Sequence, residues 1–224
     1  MARFSRLEVL NTILDSGLVP LFDEEDVEVA KRVVGACVEG GARVIEFRNR
    51  GNQGFLTFAE LAKWAAREQP ALVLGVGTVI DSGTATLYLA CGADFVVSPV
   101  LNPDIARTCN RQKVAYIPGC GTVSEISEAE ELGVEICKIF PAKEAGGPSF
   151  VKAALAPCPR SRLMPTGGVD ATEESITAWI KAGAACLGMG SRLITSDAVR
   201  EGDYSTITSR VRQVIAWIGA ARGG

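Results

Sequence analysis

Lys138 stands in Glu135-Ile-Cys-Lys-Ile-Phe-Pro-Ala142, a short apolar run that follows Gly133 and includes Pro141. In a strand successive side chains alternate, so Ile136, Lys138 and Phe140 share one face and Cys137 and Ile139 the other. An ammonium with apolar neighbours on both faces is costly to take out of water. Such a setting lowers the amine pKa and makes the neutral form available as a nucleophile toward ketones. The plainer alternative is a strand-end lysine whose head reaches solvent. Glu46, in Val44-Ile45-Glu46-Phe47, is the second group to weigh. Alone it would pair with Arg43, Arg48 or Arg50. Beside an inward lysine it becomes a candidate proton shuttle.

The chain has no histidine, so the commonest metal ligand and the commonest general base are both missing. The chemistry falls to Lys, Asp, Glu, Tyr or Cys, and no metal is expected. A net charge of −3 without a basic block argues against a nucleic-acid partner. No apolar run approaches the roughly 20 residues of a membrane helix. Met1-Ala-Arg-Phe-Ser leads directly into an amphipathic pattern, so no signal peptide is expected. Seven scattered cysteines without a C-x-x-C read as reduced thiols in a cytoplasm.

Elements that could position Lys138 and Glu46 recur along the whole chain. A helical period over 4–16 ends at Gly17, and a buried strand runs through Phe22. A helix over 23–38 stops at Gly40-Gly41. Strands follow at 43–47, 72–76, 94–97, 114–117, 135–140, 162–164 and 185–188. Helices follow them at 55–67, 82–91, after Pro103, and at 125–132, 149–155, 172–182 and 204–221. Eight short apolar strands, each followed by a helix, predict an α/β fold: a (β/α)₈ TIM barrel with an extra N-terminal helix. The expected organisation is one domain over 1–224. An open doubly wound sheet is the alternative, but the first strand leads into Pro20-Leu-Phe-Asp rather than G-x-G-x-x-G.

In such a barrel, function gathers where strands end. Lys138 and Glu46 belong to opposite strands, six and two, at matching levels. Strand seven ends in Pro165-Thr-Gly-Gly-Val169 and strand eight in Gly188-Met-Gly-Ser191. Glycine pairs there suit a phosphate held by bare backbone N–H groups, although turns need glycine anyway. Thr78, after strand three, adds a hydroxyl to the same rim, and Pro99 and Phe140 are candidate pocket walls. Lys143 is a rival nucleophile, but a solvated charge is the default in its glycine-containing loop.

Together, Val-Ile-Glu46, Gly-Val-Gly-Thr78, Val-Ser-Pro99, Ile-Pro-Gly119, Cys-Lys138-Ile-Phe-Pro-Ala, Pro-Thr-Gly167-Gly168 and Gly-Ser191 resemble the class I aldolases acting on 2-keto-3-deoxy-6-phosphogluconate and 4-hydroxy-2-oxoglutarate. The likeness spans nearly the whole chain. It implies a Schiff base at Lys138 and acid–base work by Glu46. It places the pyruvyl carboxylate on Arg50 and Thr78, and a distal phosphate on Gly167, Gly168 and Ser191. A threonine at 166 goes with the gluconate configuration in similar enzymes. The resemblance further implies no cofactor, a small 2-keto-4-hydroxy acid as substrate, and a homotrimer.

Two departures stand out. Arg48 replaces a small hydroxyl residue near the carboxylate site, which bears on substrate identity. Thr122-Val-Ser-Glu125 replaces Thr-Pro-Thr-Glu after strand five. The galactonate-configured substrate, a phosphosugar isomerase or epimerase on the same scaffold, and a catalytically silent phosphometabolite-binding barrel are the rival readings.

Overall fold

The computed structural model describes residues 2–223, so Met1 and Gly224, the ends of the expected domain, lie outside the described residues. The strands are β1 (Leu18–Phe22), β2 (Val44–Arg48), β3 (Val73–Gly77), β4 (Phe95–Val97) and β5 (Ala115–Ile117). They continue with β6 (Gly119–Cys120), β7 (Cys137–Ile139), β8 (Leu163–Pro165) and β9 (Leu187–Met189). The helices are α1 (Arg6–Ser16), α2 (Val27–Glu39), α3 (Gly54–Glu68), α4 (Ser82–Ala90) and α5 (Pro103–Gln112). After them come α6 (Val123–Glu131), α7 (Gly147–Leu155), α8 (Glu173–Lys181), α9 (Ser196–Glu201) and α10 (Tyr204–Gly223).

The result is an α/β fold whose parallel strands curl into a half-barrel. Hydrogen bonding groups them as β5-β4-β3-β2-β1-β9 and β6-β7-β8. The fifth strand expected from sequence, 114–117, corresponds to β5; β6 was not expected and follows Pro118, which has no N–H to continue the ladder. Its carbonyl still accepts from Lys138 N at 2.9 Å. An isolated parallel bridge joins Thr166 to Gly188, between the ends of the two sheets. The short helix α9 was not visible in the periodicity; six residues give too few apolar repeats to register.

Side-chain parity divides the core in two. One cluster gathers Val19, Val44, Val73, Phe95, Ile117, Ile136, Met164 and Cys186 on the inner face of the strands. Val9, Leu10 and Ile13 of α1 belong to the same cluster, so the N-terminal helix packs against that inner face. Ile45, Phe47, Cys137 and Ile139 belong to the other cluster, with the surrounding helices. Gly17, left-handed at φ 69°, ends α1 and turns the chain into β1. A capping box between Ser5 and Glu8 opens the helix.

Candidate active site

Parity assigns Lys138 to the inner face: Ile136 two residues earlier is inside, and Cys137 and Ile139 are outside. Its register partners are Gly119 of β6 and Met164 of β8. Lys138 is 5% exposed, so the solvent-reaching alternative does not apply. Its Nζ lies over the Phe140 ring at 4.9 Å from the centroid. A cation–π contact of this kind only partly offsets lost hydration. Burial pushes the Lys138 pKa below its ordinary 10.5; the charge of Glu46 opposes the shift, and Arg48 and Arg50 add to it.

Glu46 follows the parity of Val44 and is 1% exposed. Two of the three arginines named as its partners are engaged elsewhere, since Arg48 pairs with Asp23 and Arg50 approaches the same carboxylate at 3.9 Å, and the third, Arg43, is exposed. Glu46 Oε2 is buried without a hydrogen-bond partner. The adjacent strand is shaped to receive this carboxylate, since a Cβ at Gly77 would collide with it. A buried acceptor left open in this way is uncommon in a purely structural role.

Thr78, the next residue, has φ 61°. Left-handed backbone at a β-branched residue is a true outlier, and such strain clusters at functional sites.

A cleft of about 120 Å³ brings together Phe140, Thr166, Gly167, Gly168 and Ser191, with Arg48 and Arg192 on its wall. Gly167 and Gly168 have φ of 88° and 77°, so backbone conformation alone demands glycine at both. Within the described residues, the N–H groups of Gly167, Gly168, Ser191 and Arg192 find no acceptor in the protein. Free backbone donors along one cleft are the arrangement that nest-type anion sites use. Thr172 caps α8, which begins five residues beyond Gly168, and Asp170 pairs with Arg192 at 3.2 Å.

Gly188 and Gly190 also have a packing reason, because a Cβ there would meet Thr166 and Leu21 respectively. Arg50, Thr78 and Pro99 do not line this cleft; Arg50 is exposed at the rim, and the Pro99 carbonyl packs on Gly119. Lys143 is exposed, with its stem across Gly168, which removes it as a buried nucleophile. Sequence reasoning missed Asp23 and Arg192. Asp23 fell at the start of the helix expected over 23–38 and Arg192 just after strand eight, and only their partners, distant in sequence, distinguish them. No group of three or more metal-ligating His, Cys, Asp or Glu side chains exists among the described residues.

A family model described as aldolase, KDPG and KHG aldolase, matches residues 9–210. The chain is 32% identical over 205 residues to a 2-dehydro-3-deoxy-phosphogluconate aldolase of Dickeya dadantii, covering 91% of this chain and 93% of the relative. The KHG/KDPG aldolase of Escherichia coli K12 is 31% identical with the same coverage. A crystal structure of KDPG aldolase from Legionella pneumophila, with pyruvate captured as a covalent carbinolamine, superposes with TM-score 0.83 at 28% identity. It covers 91% of this chain and 96% of its own.

Proposed function

This chain belongs to the KDPG and KHG aldolase family, and on that premise we propose that it cleaves 2-keto-3-deoxy-6-phosphogluconate to pyruvate and glyceraldehyde 3-phosphate, or 4-hydroxy-2-oxoglutarate to pyruvate and glyoxylate, through an imine on Lys138. Members of the family are aldolases, hence carbon–carbon lyases. One observation carries the residue assignment: a buried lysine with a lowered pKa shares the inner face with a buried glutamate whose Oε2 has no partner. The carbinolamine in the Legionella protein supports the same chemistry here.

In this mechanism neutral Lys138 attacks the C2 ketone, loses water and leaves an iminium, a strong electron sink. Glu46 removes the C4 hydroxyl proton, directly or through a water, and the C3–C4 bond breaks. The electron pair passes into the iminium and forms an enamine, while C4 departs as an aldehyde. Protonation at C3 and hydrolysis free pyruvate and the amine. The electron sink is the imine itself, so no cofactor enters the scheme. Arg50 and Thr78 hold the C1 carboxylate. Gly167, Gly168 and Ser191 hold a distal phosphate, with Pro99, Phe140 and Thr166 along the pocket.

The finer architecture belongs to the same proposal. The Thr166–Gly188 bridge and the continuity of the chain through Pro118 support reading the two sheets as one eightfold barrel in a single domain. All seven cysteines are free, in keeping with a cytoplasmic location. Exposed Leu56, Ile80, Leu87 and Val100 offer apolar surface that a homotrimer would cover. Among the described residues no helix is long and apolar enough to cross a membrane.

The test is pyruvate release, followed with a coupled dehydrogenase, across phosphorylated and unphosphorylated 2-keto-4-hydroxy acids. Turnover of at least one is expected. Silence toward all of them, with phosphorylated ligands still bound, would replace the aldolase by a phosphometabolite-binding barrel.

The phosphate end needs a probe other than Gly168, whose φ and contact with Lys143 make any side chain there a test of backbone strain. Exposed Ser191 avoids that problem. Ser191→Asp sets a carboxylate against the incoming phosphate. It is expected to raise KM for the phosphorylated substrate about 10-fold or more, as like charges at a binding site do. An unchanged KM would move the phosphate away from the loop after β9.

A further inference from the structure

Arg48 has features that an ion pair at the rim does not explain. It lies two residues beyond Glu46 on β2 and keeps the inward parity of Val44 and Glu46. Successive inward positions on a strand are about 6.6 Å apart, so Arg48 stands one step nearer the mouth than the proposed proton shuttle. It lines the glycine-walled cleft together with Thr166, Gly168 and Ser191. It also lines an adjoining cavity of about 290 Å³, floored by Leu21 and Phe22 and walled by Ser196 and Val199. Its side chain is 21% exposed. Asp23 engages one terminal nitrogen, while Nε is buried with no acceptor.

A guanidinium carries five N–H donors in a rigid fork matched to a carboxylate. Here one end of that fork is anchored by Asp23, while Nε has no acceptor and Arg48 lines both cavities, along which the substrate tail would run. Buried polar groups are almost always satisfied, so an open one beside a cleft points to a ligand that supplies the acceptor. We infer that Arg48 is the receptor for a carboxylate on the carbon next to the cleaved bond, which makes 4-hydroxy-2-oxo dicarboxylic acids preferred substrates. Glu46 serves the C4 hydroxyl, and the first group beyond C4 meets Arg48 before it reaches Gly167 and Gly168. A phosphate two carbons out passes on to the free backbone donors of those loops. The inference rests on the aldolase reading and extends it to the selection of the tail.

The experiment compares kcat/KM for three substrates in the full chain and in Arg48→Met, which keeps most of the apolar stem and removes the charge. The substrates are 4-hydroxy-2-oxoglutarate, 4-hydroxy-2-oxopentanoate with a neutral methyl tail, and 2-keto-3-deoxy-6-phosphogluconate. The preference for the dicarboxylate over the neutral tail is expected to fall about 10- to 100-fold, the range for hydrogen bonds to a charged group. Most of the change should appear in KM. Arg48→Lys, which keeps the charge without the fork, should recover only part of it.

An equal loss toward all three substrates would overturn the inference and leave Arg48 as a structural partner of Asp23. A larger loss toward the phosphorylated acid than toward the dicarboxylate would overturn it in favour of a phosphate receptor. If the unsubstituted chain cleaved none of the three, the aldolase reading would fall and this inference with it.

Discussion

Lys138→Met is expected to lower turnover on the order of 10⁴-fold or more, the scale on which nucleophile deletions act. Borohydride reduction with pyruvate should add a pyruvate-derived mass to the Lys138 peptide of the unsubstituted chain and to no peptide of the variant. Label on Lys143, or persistent turnover, would sink the assignment. Stability should move the other way from activity. The folded-state pKa of Lys138 is depressed below 10.5, so the unfolded chain binds more protons between that lowered pKa and 10.5. Stability therefore rises with pH through this window, and below it the full cost of burying the cation is present. Methionine carries no such cost. The variant should melt higher than the parent at neutral pH, with the difference shrinking as pH climbs toward 10.5.

Glu46→Gln tests the other half of the chemistry. The amide keeps the shape that Gly77 leaves room for, but it cannot take a proton. Turnover should drop about 100-fold or more, the usual range for a lost general base. Pyruvate should still be trapped on Lys138, because imine formation with pyruvate involves no C4 hydroxyl. Turnover close to that of the parent would mean that the carboxylate is present for packing alone. Loss of both turnover and trapping, with an unchanged melting temperature, would instead place Glu46 in the carbinolamine steps.

The two residues at the centre of these experiments were legible because strand parity is a local rule. The alternation around Ile136-Cys137-Lys138-Ile139 and Val44-Ile45-Glu46-Phe47 carried over into the inner and outer packing without exception. The element order was also legible, since glycines and prolines punctuate short apolar strands. What escaped depends on contacts between distant positions. Nothing around Asp23 says that it will hold Arg48, 25 positions further along the chain. Nothing around Gly188 says that it must leave room for Thr166, so its glycine looked more like an anion loop than it is. The break at Pro118 was visible as a residue, but its effect on the ladder appears only once β7 is paired alongside.

The packing of α1 against the inner cluster has a kinetic consequence. Val9, Leu10 and Ile13 fill the inner core where α1 packs, so on the proposed mechanism substrate enters from the strand ends, where the glycine-walled cleft lies. On the proposed mechanism the three carbons joined to Lys138 stay on the enzyme as the enamine while the aldehyde half is cut free. Release is therefore ordered: the aldehyde leaves first and pyruvate last. In the synthetic direction the sequence reverses, and pyruvate must load before any acceptor aldehyde can be used.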